Sequence, residues 1–134
     1  MPNALYAKGK QRTLGALINW ETATIRAALV RNDYPQNLTT DEFYSTVSSF
    51  VVGTPVTLAN KTITNGVFDA DDVTFTAVAA GSTCEGVILY VDTGNPATSP
   101  LLAYIDTITG FPLATSGGDV LIQWDNGAFK IFSL

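Results

Sequence analysis

The sequence predicts an all-β fold: an antiparallel β-sandwich, jelly-roll-like, with an N-terminal arm and at most one short helix. Three observations carry that expectation. Short segments rich in Val, Ile, Thr, Phe and Tyr alternate apolar and polar residues with a period of two, the pattern of strands half-buried in a sheet. Turn signals punctuate them at short intervals, among them Asn65-Gly66, Gly81-Ser82, Gly117-Gly118 and Asn126-Gly127. The chain of 134 residues is 46% hydrophobic and 14% charged, enough for one buried core and well below the usual charged share of roughly 25%.

The densest strand signal is residues 69–92. Val73, Phe75, Ala77 and Ala79 alternate with Thr74 and Thr76, and after a turn at Gly81 the residues Val87, Leu89 and Val91 alternate with Ile88, Tyr90 and Asp92. A short Gly-containing link predicts that the two runs are antiparallel neighbours. Both parities of the second run are apolar, so it is expected to be covered on both faces.

Taken in order, residues 1–13 read as a basic N-terminal arm and residues 14–134 as a single β-sandwich domain. A first strand is expected over 14–20 and a second over 24–30. A helix over 20–30 competes, but the β-branched Thr22, Thr24 and Ile25 favour a strand. Residues 40–47 suit the one short helix, with Thr39 or Thr40 as N-cap and Asp41 and Glu42 in its first turn. The strand over 50–58 is interrupted at Gly53-Thr54-Pro55, and Pro55, lacking an N–H, belongs on an edge or at a bulge. Asn65-Gly66 predicts a type I′ hairpin. Further strands are expected over 101–108, 119–124 and 129–134, the last entered through a turn at Asp125-Asn126-Gly127.

Charge is unevenly distributed. Lys8, Lys10 and Arg12 supply three of the seven basic residues, leaving four bases against twelve acids in the rest. An acidic body repels phosphate backbones, so nucleic acid is not an expected partner. No apolar run is long enough to span a membrane, and the N-terminal residues lack an export-signal pattern. Synthesis in a cytoplasm is expected, and with it no glycosylation at Asn37 or Asn60. In an extended arm Lys8, Lys10 and Arg12 would project to one side. Together with Leu5 and Tyr6 they form the candidate partner-binding set. The arm is expected to be mobile in isolation and ordered by contact with an acidic surface.

Catalytic constellations are absent from the residue types themselves. Without histidine there is no Ser-His-Asp or Cys-His arrangement, and a single cysteine adds no zinc site or internal disulfide. No phosphate-binding glycine motif occurs. Cys84 reads as a buried apolar side chain. Asp69, Asp71 and Asp72 lack the spacing of a calcium loop and read as turn acids. The pair Asp106 and Asp125 reads as chance rather than as glycosidase carboxylates. Trp20 and Trp124, each followed by an acid, read as core-edge residues rather than a sugar platform. No enzyme activity, cofactor or metal is expected.

The strings LINWETATIRAALV (17–30), VFDADDVTFTAVAAGSTCEGVILYVDTG (67–94), PLLAYIDT (100–107) and IQWDNGAFKIF (122–132) resemble small virion proteins of tailed bacteriophages, the capsid decoration or cement group. The resemblance covers most of the chain from Leu14 onwards and leaves the basic arm unmatched. It implies a β-sandwich bound to the outside of the major capsid protein shell, and it brings no catalytic residues. The expectation is therefore a virion-exterior protein assembled in the host cytoplasm. Its expected partners are the major capsid protein and copies of itself, a trimer before a dimer. A tail, neck or fibre component is the structural alternative, and a carbohydrate-binding module the alternative of another class. A sugar module should expose aromatic rings on one face, whereas a cement protein should keep its tryptophans in the core or at a contact.

Overall fold

The computed structural model describes residues 4–106, 108, 110–124 and 131–133. Its largest unit is a six-stranded antiparallel sheet. Across it run β1 (Ala4–Leu5), β8 (Leu101–Ile105), β7 (Thr83–Val91), β2 (Ile25–Arg31) and β3 (Val51–Thr57), while β9 (Leu113–Ala114) also pairs with β7. Since β2 follows the whole of β7, from Ile25 opposite Val91 to Arg31 opposite Cys84, β8 and β9 must share the other side. They lie end to end there, β8 opposite residues 87–90 and β9 opposite 83–84.

Two smaller sheets oppose it. One pairs β6 (Val73–Phe75) with β10 (Val120–Ile122); the other orders β4 (Thr62–Thr64), β5 (Val67–Asp69) and β11 (Phe132–Ser133) with β5 in the middle. Ile25, Ala27, Leu29, Val87, Leu89 and Ile105 from the large sheet meet Phe68, Val73, Phe75, Ile122 and Ile131 in one buried core. Apolar burial of this kind contributes about 1.5–3 kcal/mol per large side chain. The molecule is an all-β sandwich.

The other face of the large sheet is also dry. Ala28, Val30, Ile88, Tyr90, Leu101 and Tyr104 form a second core with Tyr6, Tyr34 and Val47. This explains why both parities of β7 are apolar: each face of the strand has its own core. The covering layer consists of the N-terminal segment and a short helix, α2 (Tyr44–Val47), continued by a 3-10 turn at Ser48–Phe50.

Several expectations hold in detail. Strand β2 begins at Ile25. Strand β3 is an edge strand; between Ala27↔Val56 and Leu29↔Val52 the register slips, so Gly53, Thr54 and Pro55 form the anticipated bulge, with Gly53 at φ 76. Asn65 and Gly66, at φ 52 and 79, close the β4–β5 hairpin between Thr64 and Val67.

Others are corrected. Residues 73–79 and 87–91 do not form a hairpin. Ala77 turns at φ 49, its N–H donating to Asp119 Oδ1 at 2.8 Å, and β6 pairs with β10 across the core from β7. No strand forms over 14–20. The short helix starts at Tyr44, after Phe43, with no side-chain cap, because Asn37 Oδ1 already ties the N–H groups of Thr39 and Thr40 into a separate turn. A second helix occupies the arm, so the described residues form two short α-helices rather than at most one. The turn expected at Asp125-Asn126-Gly127 lies outside the described residues.

Candidate partner-binding surface

The basic segment is built into the fold. Tyr6 N–H donates to the Leu102 carbonyl at 3.0 Å, extending the β1–β8 pairing, and Ala7 N–H donates to the Leu38 carbonyl at 2.7 Å. These bonds satisfy amides left over at the start of α1 (Ala7–Leu14). Gly9 is the buried residue of the helix, and a Cβ there would lie 2.7 Å from the Leu101 carbonyl oxygen and 3.0 Å from that of Leu102. Glycine, otherwise a poor helix former, is what lets α1 lie directly on the backbone of β8.

The helix ends in a Schellman motif. Ala16 N–H bonds the Thr13 carbonyl at 3.2 Å, Leu17 N–H bonds the Arg12 carbonyl at 2.9 Å, and Ala16 takes the left-handed conformation at φ 60 where glycine is usual. In most such motifs the apolar residue after the turn folds back onto the helix. Here Leu17 is 77% exposed and Leu14 is 83% exposed.

This geometry corrects the expected extended arm. The segment is a strand and helix rather than an extended chain because Tyr6, fully buried among the other tyrosines, anchors it. Leu5 is half-buried against the first core. Tyr6 is therefore closed to a partner, and Leu5 offers only part of its surface. Helical spacing separates the cations as well: Lys8 and Arg12, four apart, share one side, while Lys10 sits on the side of Leu14. Arg12 is engaged inside the molecule, 2.7 Å from Glu42 and 5.0 Å from the Phe43 ring centroid. Lys10 is exposed and Lys8 half-buried, and neither joins an ion pair among the described residues.

All five tyrosines contribute to the second core: Tyr6, Tyr34, Tyr90 and Tyr104 buried in it, and Tyr44 packed against it. Tyr6 and Tyr34 hydroxyls lie 2.8 Å apart, and Tyr34 donates to Asp41 Oδ2 at 2.6 Å. Tyr44 stacks on Tyr90 with centroids 4.1 Å apart. Burial is the leading cause that raises all five hydroxyls above their ordinary range, Tyr104 to about 12. The hydrogen-bonded chain ties the N-terminal segment to the loop before α2.

Cys84, Asp71 and Asp72 are engaged within the fold. Cys84 is buried, and burial raises its thiol pKa. Asp72 Oδ1 accepts the Trp124 N–H at 3.0 Å, the Asp71 carbonyl accepts its indole N–H at 2.9 Å, and Asp71 Oδ2 accepts from Asn60 at 2.5 Å. Among the described residues no cluster of three potential ligands could hold a metal ion. Asp125, half of the carboxylate pair considered above, lies outside the described residues. Trp20 and Trp124 are both buried, Trp20 edge-on to Phe68 at 4.9 Å.

Among the described residues four large hydrophobic side chains are exposed: Leu14, Leu17, Ile63 and Leu121. Beside Leu17 runs a groove of about 270 Å³ lined by Arg12, Leu17, Ile18, Thr22, Val91 and Pro100, with no acid on its walls among the described residues. Sequence reasoning missed this surface by assigning 14–20 to a strand. The available signal was Leu14 standing four residues after Lys10 in an otherwise polar helix. No family model and no curated protein matches the sequence. No helix among the described residues is long and apolar enough to cross a membrane.

Proposed function

We propose that the protein is a bacteriophage capsid decoration protein, binding the outer surface of the major capsid protein shell and stabilising the virion. The observation that carries this reading, beside the resemblance of residues 17–132, is where the apolar surface lies. The described tyrosines and tryptophans are packed inward. Among the described residues the two most exposed large hydrophobic side chains are Leu14 and Leu17, at and just beyond the end of α1, with the exposed Lys10 one turn before Leu14. Such a surface suits docking to a large partner rather than turnover of a small one. An acidic body, with formal net charge −5, suits a position outside the shell and away from packaged DNA.

A carbohydrate-binding role loses its motive, because both tryptophans that would form the platform lie in the core. A tail, neck or fibre component uses the same surface chemistry, and location separates it from the leading reading. Cryo-electron microscopy of the intact particle provides the test. Density for this fold on the outer shell supports the proposal, and density only at the tail or neck refutes it. A binding assay complements the image: the protein should co-sediment with particles lacking it, and Leu14→Ser/Leu17→Ser should reduce that binding.

A further inference from the structure

Two apolar features sit at opposite ends of β7. At its Val91 end, the exposed Leu17 lines the groove that Val91 also lines, and the exposed Leu14, three residues before it at the end of α1, has Lys10 one helical turn earlier on its side. At its Thr83 end, where β9 pairs, a second groove of about 160 Å³ is lined by Phe111, Leu113, Ala114, Val120, Leu121 and Asp119. Leu121, 56% exposed, lines it, and among the described residues no basic side chain does. Nine strand residues separate these ends by about 27 Å.

We propose that the protein self-associates head to tail, the Leu14/Leu17 knob of one copy seating in the Phe111/Leu121 groove of the next, with Lys10 facing Asp119. Charge selects this occupant. Lys10 is the exposed cation on the side of Leu14, Arg12 being paired with Glu42 and Lys8 lying half-buried on the other side of the helix, while the groove carries Asp119. The cationic knob is therefore complementary to the acid-bearing groove of another copy, whereas knob against knob would set Lys10 against Lys10. Because knob and groove occupy different ends of one strand, the contact is heterologous. Its repetition closes a ring or extends a filament instead of stopping at a two-fold dimer. The knob is available because the Schellman turn leaves Leu17 outside, and the carboxylate of the groove, Asp119, holds the Ala77 turn through Oδ1 and leaves Oδ2 for Lys10. This proposal concerns the protein alone in solution and does not depend on the capsid reading.

Complementary variants test it. Leu14→Ser/Leu17→Ser removes the knob and keeps the groove; Leu121→Arg blocks the groove and keeps the knob. All three side chains are exposed, and melting curves verify that the fold is retained, with Leu121→Ser as the milder groove variant. In sedimentation velocity at up to about 100 µM, wild type is expected to be oligomeric and each variant to weaken association at least about 10-fold. Mixed in equal amounts, the two variants are expected to form a dimer of twice 14.2 kDa and no larger species, since only one intact contact can form. A monomeric wild type at the highest concentration, or variants that associate like wild type, would overturn the proposal. So would a mixture in which no dimer appears. Failure of capsid binding with this pattern intact would refute only the capsid reading.

Discussion

Replacing Gly9 with alanine sets two effects of opposite sign against each other. In an exposed helix the change stabilises by about 1 kcal/mol, because glycine is the poorer helix former. At this site the new Cβ would lie 2.7 Å and 3.0 Å from two carbonyl oxygens and 3.1 Å from the Leu102 Cα. Those atoms belong to the backbone of β8, paired on both sides within the sheet, and cannot swing away as a side-chain end would. Overpacking against fixed atoms costs about 1–3 kcal/mol, so the balance is a loss of about 1 kcal/mol. For a domain of 134 residues that lowers the melting temperature by about 4 °C. Gly9→Val, with two more carbons and poorer helix propensity, should lose about twice as much. Gly118→Ala is the control: its Cβ would meet only the Ser116 hydroxyl at 3.7 Å, and stability should stay within about 0.5 kcal/mol. Thermal and urea denaturation of the three variants measure the order. A Gly9→Ala protein more stable than wild type would mean that α1 does not lie on β8, and the account of the N-terminal segment would fall.

Deleting residues 2–12 should destabilise the fold by about 3–5 kcal/mol in urea titrations, since it removes the fully buried Tyr6; an unchanged midpoint contradicts this. Tyr34→Phe should cost about 1–3 kcal/mol by leaving the Tyr6 hydroxyl buried without its partner, and the double change with Tyr6→Phe should cost less than the sum, as a double-mutant cycle reads directly. Ala16→Gly should stabilise by about 1 kcal/mol in the same assay by relieving the left-handed alanine. Tyrosines raised by burial remain protonated in the folded state while those of the unfolded chain ionise near pH 10. Stability should therefore be intact below pH 10 and fall as pH rises towards about 12, the Tyr104 value. Ultraviolet absorbance should show tyrosinate appearing together with loss of structure, and ionisation without unfolding would contradict the packing described.

Local chemistry made much of the fold legible. Asn65-Gly66 specifies its own turn, Pro55 marks an unpaired edge, and a strand apolar on both parities has to lie between two cores. What escaped was partner choice. The alternation at Val73 and Phe75 reports a strand but not its neighbour, and the turn at Ala77 depends on Asp119, forty-two residues away. The N-terminal segment escaped for a related reason. AKGKQRTL has little apolar content to announce a buried element, and its place depends on one tyrosine before it and one glycine within it. The exposed surface was hidden by the same error, since Leu14 and Leu17 read as core only if a strand runs through them. Residue types spoke more directly about chemistry: with no histidine and one buried cysteine, few reactive arrangements could be built.

The pairing of β1 with β8 joins residues about a hundred positions apart, Ala4 opposite Tyr104 and Leu5 opposite Ala103. During synthesis the basic stretch leaves the ribosome long before its docking strand exists, and it must wait unpaired while β2, β3 and β7 are made. Closing so long a loop is slow, which places the seating of α1 late on the folding path. Substitutions at Tyr6 and Gly9 should then accelerate unfolding and scarcely slow folding. For a stretch of time set by translation, Lys8, Lys10 and Arg12 belong to a nascent chain whose cations are all exposed, and only the arrival of residues 101–104 turns them into part of a surface.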